Sequence, residues 1–396
     1  MITLFNSMVT FFLIAGMAGI TVLVLYLWFF AISYIVVGKR DTPLSIVPQS
    51  RFVFVVPAHN EENGITATVQ SLLSVSYQRT LFDVVVVADN CTDQTAKQAR
   101  DAGAECIERY DAELRGKGYA LSLAFTELLP RGYDAFIVID ADSIVSQNFL
   151  SVLDARLGRG EKVIQAYNGM ANPDASVLTY MFQVGNLIEN KLFWEPKQAF
   201  GLPIILRGNG MCFAREILEK YPWNAFSIVE DTEYGLTLIA NDIRIHFASD
   251  MGVYACQPET FQHAFAQRVR WAAGNATLTK GRAIKMIVSG AFRRHEASID
   301  LGVSLLAGSR PLLLVTNIAI LAMALIIRSQ ILMCWAGSVL VAQVLYICLG
   351  IALNGFSQQN MFRLLLSPFY LTWLCIVSLL GAAGFRKNKW VRTTRL

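Results

Sequence analysis

No charged side chain occurs from Met1 to Gly38, and Lys39-Arg40 follow at once. This run limits the fold more than any other feature of the chain. The stretch from about Val9 to Val37 exceeds the roughly 20 apolar residues that carry a helix across a bilayer. A cleaved signal peptide fits it poorly. It lacks a basic leading segment, and it is longer than the ~7–15 apolar residues of such a signal. The reading is an N-terminal membrane anchor. Lys39 and Arg40 then hold the following domain on the cytoplasmic side of the inner (plasma) membrane, because basic flanks stay inside.

Apolar runs return at Pro311–Ile327, Ile331–Leu353 and Leu364–Phe385, and the short Arg328-Ser329-Gln330 link implies a helical hairpin. The chain is therefore read as multi-pass. Three crossings would leave the C-terminus outside, yet Arg386, Lys387, Lys389, Arg392 and Arg395 favour inside. Either one segment is re-entrant or interfacial, or the tail breaks the rule. Residues 280–297 mix basic and apolar side chains at helical spacing, which fits a helix on the membrane surface or a plain connector. The expected divisions are an anchor over 1–40, a soluble domain over 41–279, an interfacial region over 280–310 and a membrane region over 311–396.

Composition agrees: 54% of residues are hydrophobic and mean hydropathy is +0.43, too apolar for an ordinary soluble protein. The formal charge of +4 is small and dispersed, which argues against a nucleic-acid partner. Seven cysteines with no C-x-x-C pair fit a reduced compartment rather than a disulfide framework. The four histidines have no zinc-site spacing. A transporter or scaffold is the rival from another class, but the apolar segments carry almost no charge to mark an ion path.

In the middle of the chain, buried-strand patterns alternate with helical ones. Strands are expected at Arg51–Val56, Phe82–Val87, Ala104–Glu108 and Ala135–Ile139. Helices are expected near Gly64–Ser74, Gln94–Ala102 and Lys117–Leu129. Such alternation predicts an α/β fold with a mainly parallel sheet. Ligands of such sheets bind beyond the carboxyl ends of the strands. Three polar clusters fall there: Ala58–Glu62, Asp89–Asp93 and Asp140–Asp142.

Asp140 and Asp142 lie two apart, so in extended backbone both carboxylates face one side. They suit Mg²⁺ or Mn²⁺ completed by substrate phosphates; a solvated turn is the plain alternative. Asp89 is placed to accept hydrogen bonds from a nucleobase or ribose, or to form an Asx turn, with Asp93 the better capping candidate. Lys117, between Gly116 and Gly118, offers positive charge for a phosphate, or is a loop lysine; it belongs to no Walker P-loop. Gly208-Asn209-Gly210 reads as a tight turn. Glu230 and Asp231 precede the helical stretch Thr232–Ala240. They either favour a helix N-terminus or supply a base for an acceptor hydroxyl, with Asp231 the base. Gln267, Arg270 and Trp271 stand at i, i+3 and i+4 and share a helix face. Arg270 can stabilise a leaving diphosphate and Trp271 can stack on a sugar ring. The alternative is an interfacial Arg/Trp anchor.

Taken in order, these strings resemble the membrane-bound family-2 glycosyltransferases, the group that includes cellulose, chitin and hyaluronan synthases and many bacterial exopolysaccharide enzymes. The match runs through Val56-Pro57-Ala58-His59-Asn60-Glu61-Glu62, Ala88–Asp93, Gly116-Lys117-Gly118, Asp140-Ala141-Asp142, Val229-Glu230-Asp231 and Gln267-Arg268-Val269-Arg270-Trp271. The resemblance implies a GT-A fold (Rossmann-like), a nucleotide-diphosphate sugar donor, a divalent metal and inversion at the anomeric carbon. It implies that Glu61 and Asp89 bind the donor, Lys117 the diphosphate, Asp140 and Asp142 the metal and diphosphate. Glu230 and Asp231 are then the catalytic pair, Gln267 and Arg270 cover the diphosphate, and Trp271 stacks on the acceptor sugar. His59 replaces the commoner aromatic, and Val229 stands where threonine is frequent. The expected partners are a UDP- or GDP-type sugar donor, a growing glycan or a lipid-linked acceptor, membrane lipid and polysaccharide-export proteins.

Overall fold

The computed structural model describes residues 2–37, 47–279, 281–355, 363 and 365–385. Lys39, Arg40 and the basic tail from Arg386 to Arg395, which carry the orientation argument, lie outside the described residues. Along the chain, α1 (Ile2–Val37) precedes β1 (Phe52–Ala58), α2 (Ile65–Leu73), β2 (Phe82–Asp89), α3 (Thr95–Asp101), β3 (Glu105–Arg109), α4 (Lys117–Leu128) and β4 (Ala135–Val138). Next come β5 (Ser143–Val145), α5 (Phe149–Gly158), β6 (Val163–Met170), α6 (Val177–Glu189), a π-helical turn at Asn190–Trp194 and α7 (Glu195–Ala199). Then follow β7 (Met211–Ala214), α8 (Arg215–Lys220), α9 (Glu230–Ala240) and β8 (His246–Ala255). The helices α10 (Phe261–Thr279), α11 (Arg282–Arg293), α12 (Glu296–Ala307), α13 (Arg310–Ile326), α14 (Gln330–Leu353) and α15 (Ser367–Ala382) close the described chain.

These elements form two compact units. The first, Lys39–Pro173 with Lys197–Pro258, holds the eight-stranded sheet, in the order β3-β2-β1-β4-β7-β6-β8-β5. Strands β1, β2 and β4 are apolar and almost wholly buried, as strands covered on both faces must be. Alternate side chains serve opposite faces. Phe54, Val84 and Ile137 join Val69 of α2 and Leu150 of α5 in one core, whereas Phe136 meets Phe125 of α4 edge-on, with centroids 6.0 Å apart.

The chain steps outward from β1 to β2 and β3, then returns to place β4 on the other side of β1. That reversal opens a crevice at the carboxyl ends of the strands, the usual ligand position in such sheets. The expected strands and helices up to β4 all form, within a few residues of the expected limits. The parallel expectation holds for β1·β2, β1·β4, β2·β3 and β6·β8. In contrast, β4·β7, β6·β7 and β5·β8 are antiparallel, so the sheet is mixed.

The second unit, Met1–Gly38 with Asp174–Pro196 and Glu259–Thr394, is helical. Met17, Ile20 and Val24 of α1 pack with Ile320 of α13 and Ala336 and Val339 of α14. Polar links cross between these apolar helices. Trp335 Nε1 donates to Thr21 Oγ1 (3.0 Å), Trp28 Nε1 to the Ala342 carbonyl (3.1 Å), and Asn317 Nδ2 to Gln343 Oε1 (2.9 Å). Side-chain hydrogen bonds of this kind fasten helices where no water competes. The Met8–Val36 and Gln330–Leu353 stretches are long and apolar enough to cross a membrane, and α12 with α13 qualifies only as a pair bent by 65°. Ser367–Ala382 is a shorter apolar helix. The α13–α14 hairpin forms as expected, turning at Arg328 with φ 55°.

Candidate active site

The centre of the site is built from Lys117, Asp140, Asp231 and the Gly208-Asn209-Gly210 turn. Lys117 is the first residue of α4 and follows Gly116 (φ 125°). Gly118 meets the Ala225 carbonyl so closely that a Cβ would lie 2.3 Å from it. The second glycine of Gly-Lys-Gly therefore serves packing and fixes the first turn of α4. From there Lys117 Nζ donates to Asp140 Oδ1 and to the Gly208 carbonyl, each at 2.5 Å. Burial works against the ammonium charge, but Asp140 and Glu230 outweigh it and hold the Lys117 pKa above its ordinary value.

Gly208 has φ 72°, and a Cβ there would sit 3.1 Å from Asp231 Oδ2 and 3.4 Å from Lys117 Nζ. The base candidate and the cation thus converge on a position whose left-handed backbone and close neighbours favour glycine. Asp231 Oδ1 accepts from the Thr232 N–H (2.6 Å), inside the first turn of α9, where orphan N–H groups favour a carboxylate. The pair opens α9, as the helix-terminus alternative expects, and from there Asp231 Oδ2 approaches Gly208. Burial raises both carboxyl pKa values. The neighbouring Asp231 charge adds to the effect at Glu230, while the Thr232 N–H and Lys117 oppose it at Asp231.

Asn209 joins this centre to the Asp140–Asp142 loop. Its Oδ1 accepts from the Asp140 N–H (3.1 Å), and its Nδ2 donates to Ser143 Oγ (2.9 Å). Ser143 Oγ in turn donates to Asp142 Oδ1 (3.2 Å). Buried Gln165 grips the turn from behind: Nε2 donates to the Asn209 carbonyl (2.7 Å) and Oε1 accepts from the Arg207 N–H (2.8 Å). Asn209 was named from sequence only as part of a tight turn, with no partner for its side chain, and Gln165 was not singled out. An asparagine between two glycines was the one available signal for the former; nothing marked the latter.

Asp140 and Asp142 are hard oxygen donors in the turn between β4 and β5, which the Ser143 N–H closes onto the Asp140 carbonyl (3.2 Å), rather than in the extended backbone expected. Among the described residues no group of three or more acidic, histidine or cysteine side chains is placed to hold a metal ion. That set fits Mg²⁺ or Mn²⁺ held by one or two carboxylates and completed by phosphate oxygens, not an all-protein cage.

A cavity of about 380 Å³ opens at the ends of β1 and β2, lined by His59, Asn60, Asn90, Thr92, Tyr110 and Arg115 among others. Asn60 and Asn90 turn with φ 56° and 52°, and Asn60 Oδ1 accepts from the Thr92 N–H (2.7 Å). Asp89 is buried behind this wall. Its Oδ1 accepts from Arg109 Nη1 (2.7 Å) and Asn90 Nδ2 (2.9 Å), and its carbonyl accepts from His59 Nδ1 (2.7 Å). Asp93 Oδ1 accepts from the Thr95 N–H (3.0 Å) at the start of α3. The Glu61 N–H donates to Thr95 Oγ1 (2.8 Å), so the two loops are stitched together.

Gln267, Arg270 and Trp271 lie on α10 in the helical unit, with the shared-face spacing expected. Gln267 is buried and Trp271 exposed. The guanidinium of Arg268 lies 3.8 Å from the Phe182 ring centroid and 5.1 Å from that of Trp271, a cation–π pairing that braces the indole. On the next residue, Ala272, α10 touches α15 closely: a Cβ on Gly381 would lie 2.4 Å from Ala272 Cβ.

Residues 48–274 match the family described as "Glycosyltransferase like family 2". The chain belongs to that family. A "Probable glycosyltransferase" of Sulfolobus acidocaldarius is 26% identical over 244 residues, 59% of this chain and 51% of that protein. A "Beta-monoglucosyldiacylglycerol synthase" of Nostoc sp. is 30% identical over 235 residues, 55% of this chain and 47% of that one. The chain thus spans about half the length of the curated relatives it matches. Among solved structures, the mannosyltransferase PcManGT of Pyrobaculum calidifontis, in complex with GDP-Man and Mn²⁺, superposes with TM-score 0.56 at 21% identity. The match covers 93% of this chain and 97% of that one. The fold is the GT-A type, with apolar helices at both ends.

Proposed function

We propose that this protein is an inverting glycosyltransferase that moves a hexosyl or N-acetylhexosaminyl group from a UDP- or GDP-type donor to a growing glycan at the cytoplasmic membrane face. The observation that carries the reading is the convergence of Asp231 Oδ2 and Lys117 Nζ on Gly208. A base whose pKa is raised by burial stands beside a cation held at the end of the Asp140 strand. Asp231 Oδ2 takes the acceptor hydroxyl proton as the oxygen bonds to the anomeric carbon. The bond from that carbon to the diphosphate breaks, and the nucleoside diphosphate leaves on the opposite face. Lys117 supplies positive charge for the departing diphosphate. Asp140 and Asp142 would hold the divalent ion, which neutralises diphosphate charge when bound.

The cavity of about 380 Å³ at β1 and β2 is of ligand-binding size and is assigned to the donor nucleoside, with Asp89 and Glu61 in its supporting loops. By family resemblance Gln267 and Arg270 are assigned to the diphosphate, and Trp271 to the acceptor sugar. A second reading, single transfer to a lipid acceptor, is favoured by the relatives named "Beta-monoglucosyldiacylglycerol synthase". A donor screen on membranes containing the protein tests both readings through released nucleotide and product mass. A ladder of products supports polymer synthesis, and a single glycolipid supports the second reading. No turnover with any UDP- or GDP-sugar, or turnover unchanged in Asp142→Ala, overturns the proposal.

A further inference from the structure

Helix α11 divides into three faces. Taking about 100° per residue and setting Ala283 at zero, Ile287 and Gly290 fall within roughly 40° of it. This first face is packed: Ala283 and Gly290 are buried. A Cβ on Gly302 of α12 would lie 2.6 Å from both the Ala283 carbonyl and Ile287 Cγ1, and one on Gly290 would lie 2.9 Å from Ile299 Cγ1. Two such close approaches fix the rotation of α11 about its own axis. The ends are fixed as well, by left-handed residues Gly281 (φ 81°) and Arg294 (φ 55°). The other two faces are therefore defined surfaces.

Ile284, Val288 and Phe292, one turn apart on the second face, are 64%, 48% and 87% exposed. Lys285, Arg282 and Arg293 follow round the third face, and Arg294 closes the helix; all four are exposed. Between Arg282 and Arg294 there are four basic residues and no acidic one. A 12-residue helix is about 18 Å long, too short to cross a bilayer. An apolar stripe with a basic flank is instead the pattern of a helix lying in the interfacial plane.

We propose that α11 is a docking surface for anionic phospholipid. Ile284, Val288 and Phe292 enter the acyl boundary, and Arg282, Lys285, Arg293 and Arg294 meet the headgroup phosphates. The charge argues against a second copy of this chain: a two-fold contact would set like patches face to face. The helix belongs to the same unit as the apolar helices α1 and α14, which places a bilayer within the reach of that unit. The proposal stands whether or not the sheet unit transfers sugar.

The test uses the full-length protein in nanodiscs of phosphatidylcholine alone or mixed with phosphatidylglycerol. The photo-crosslinker p-benzoylphenylalanine replaces Phe292, or Leu25 of α1 as a membrane-span comparator, and adducts are identified by mass. Position 292 is expected to give lipid adducts, several-fold more in the anionic discs, with salt reducing the excess. Each basic residue near an anionic surface is worth about fivefold in partitioning. Lys285→Gln with Arg293→Gln should therefore shrink the difference between the two disc types several-fold while leaving Leu25 adducts unchanged. Adducts only to a second copy or another protein, no lipid adduct at 292, or equal yields in both discs would overturn the proposal.

Discussion

Gly208→Ala is the most discriminating perturbation of the site. Left-handed backbone costs an alanine about 1–2 kcal/mol, and Gly208 has φ 72°. The added methyl carbon also lies 3.1 Å from Asp231 Oδ2 and 3.4 Å from Lys117 Nζ, so the carboxylate must give by some tenths of an ångström. A misplacement on the order of 1 Å costs about 100-fold in rate, so a smaller displacement of base and cation together predicts a kcat loss of roughly 10- to 100-fold. Gly160→Ala separates the two effects, because Gly160 has φ 85° with no atom within 4 Å of an added Cβ. Both variants are measured by thermal unfolding and by initial nucleotide release at saturating donor. Comparable losses of stability are expected, with the kcat loss confined to Gly208→Ala. If Gly208→Ala turns over within about twofold of Gly160→Ala, Asp231 and Lys117 do not act from these positions.

Burial raises the Asp231 carboxyl against the opposing Thr232 N–H and Lys117. A base works only when deprotonated, so kcat should climb with pH through a midpoint above that of an ordinary aspartate, ~3.9. Lys117→Met should move the midpoint higher still, and a pH–rate profile showing no such rise would contradict the assignment. Asn209→Ala leaves the Asp140 N–H without its acceptor and should cost about 1–3 kcal/mol of stability. Its apparent affinity for Mn²⁺ and donor, read by titrating each against rate, should weaken more than that for acceptor. In the helical unit, Gly381→Val overpacks the α10–α15 contact and should destabilise by about 1–3 kcal/mol, visible as earlier thermal unfolding in detergent.

The first half of the sheet was legible because β1, β2 and β4 are continuous apolar runs, each ending in polar residues at the crevice. The second half was not. β5 and β7 have only 3 and 4 residues, too few for periodicity to speak, and strand direction leaves no local trace. The site was legible as separate pieces: Lys117, Asp140 and Asp231 were each marked by neighbours of unusual chemistry. Their joining through the Gly208 carbonyl and Asn209 depends on contacts 91 and 69 residues apart in sequence, which no local pattern reports. The packing role of Gly118 was equally out of reach, because its missing side chain admits the carbonyl of Ala225, distant in sequence. Membrane segments were read from apolar length alone, so the bend of 65° between α12 and α13 was out of reach.

The central claim is that Asp231 is the base of the transfer. Asp231→Asn keeps the size of the side chain and removes its capacity to take a proton. In a single-turnover experiment with donor in excess over enzyme-bound acceptor, transfer should fall by about 10²–10⁴-fold, while donor binding, measured by direct titration, stays near that of the unaltered protein. Transfer at the full rate with donor binding intact would contradict the account.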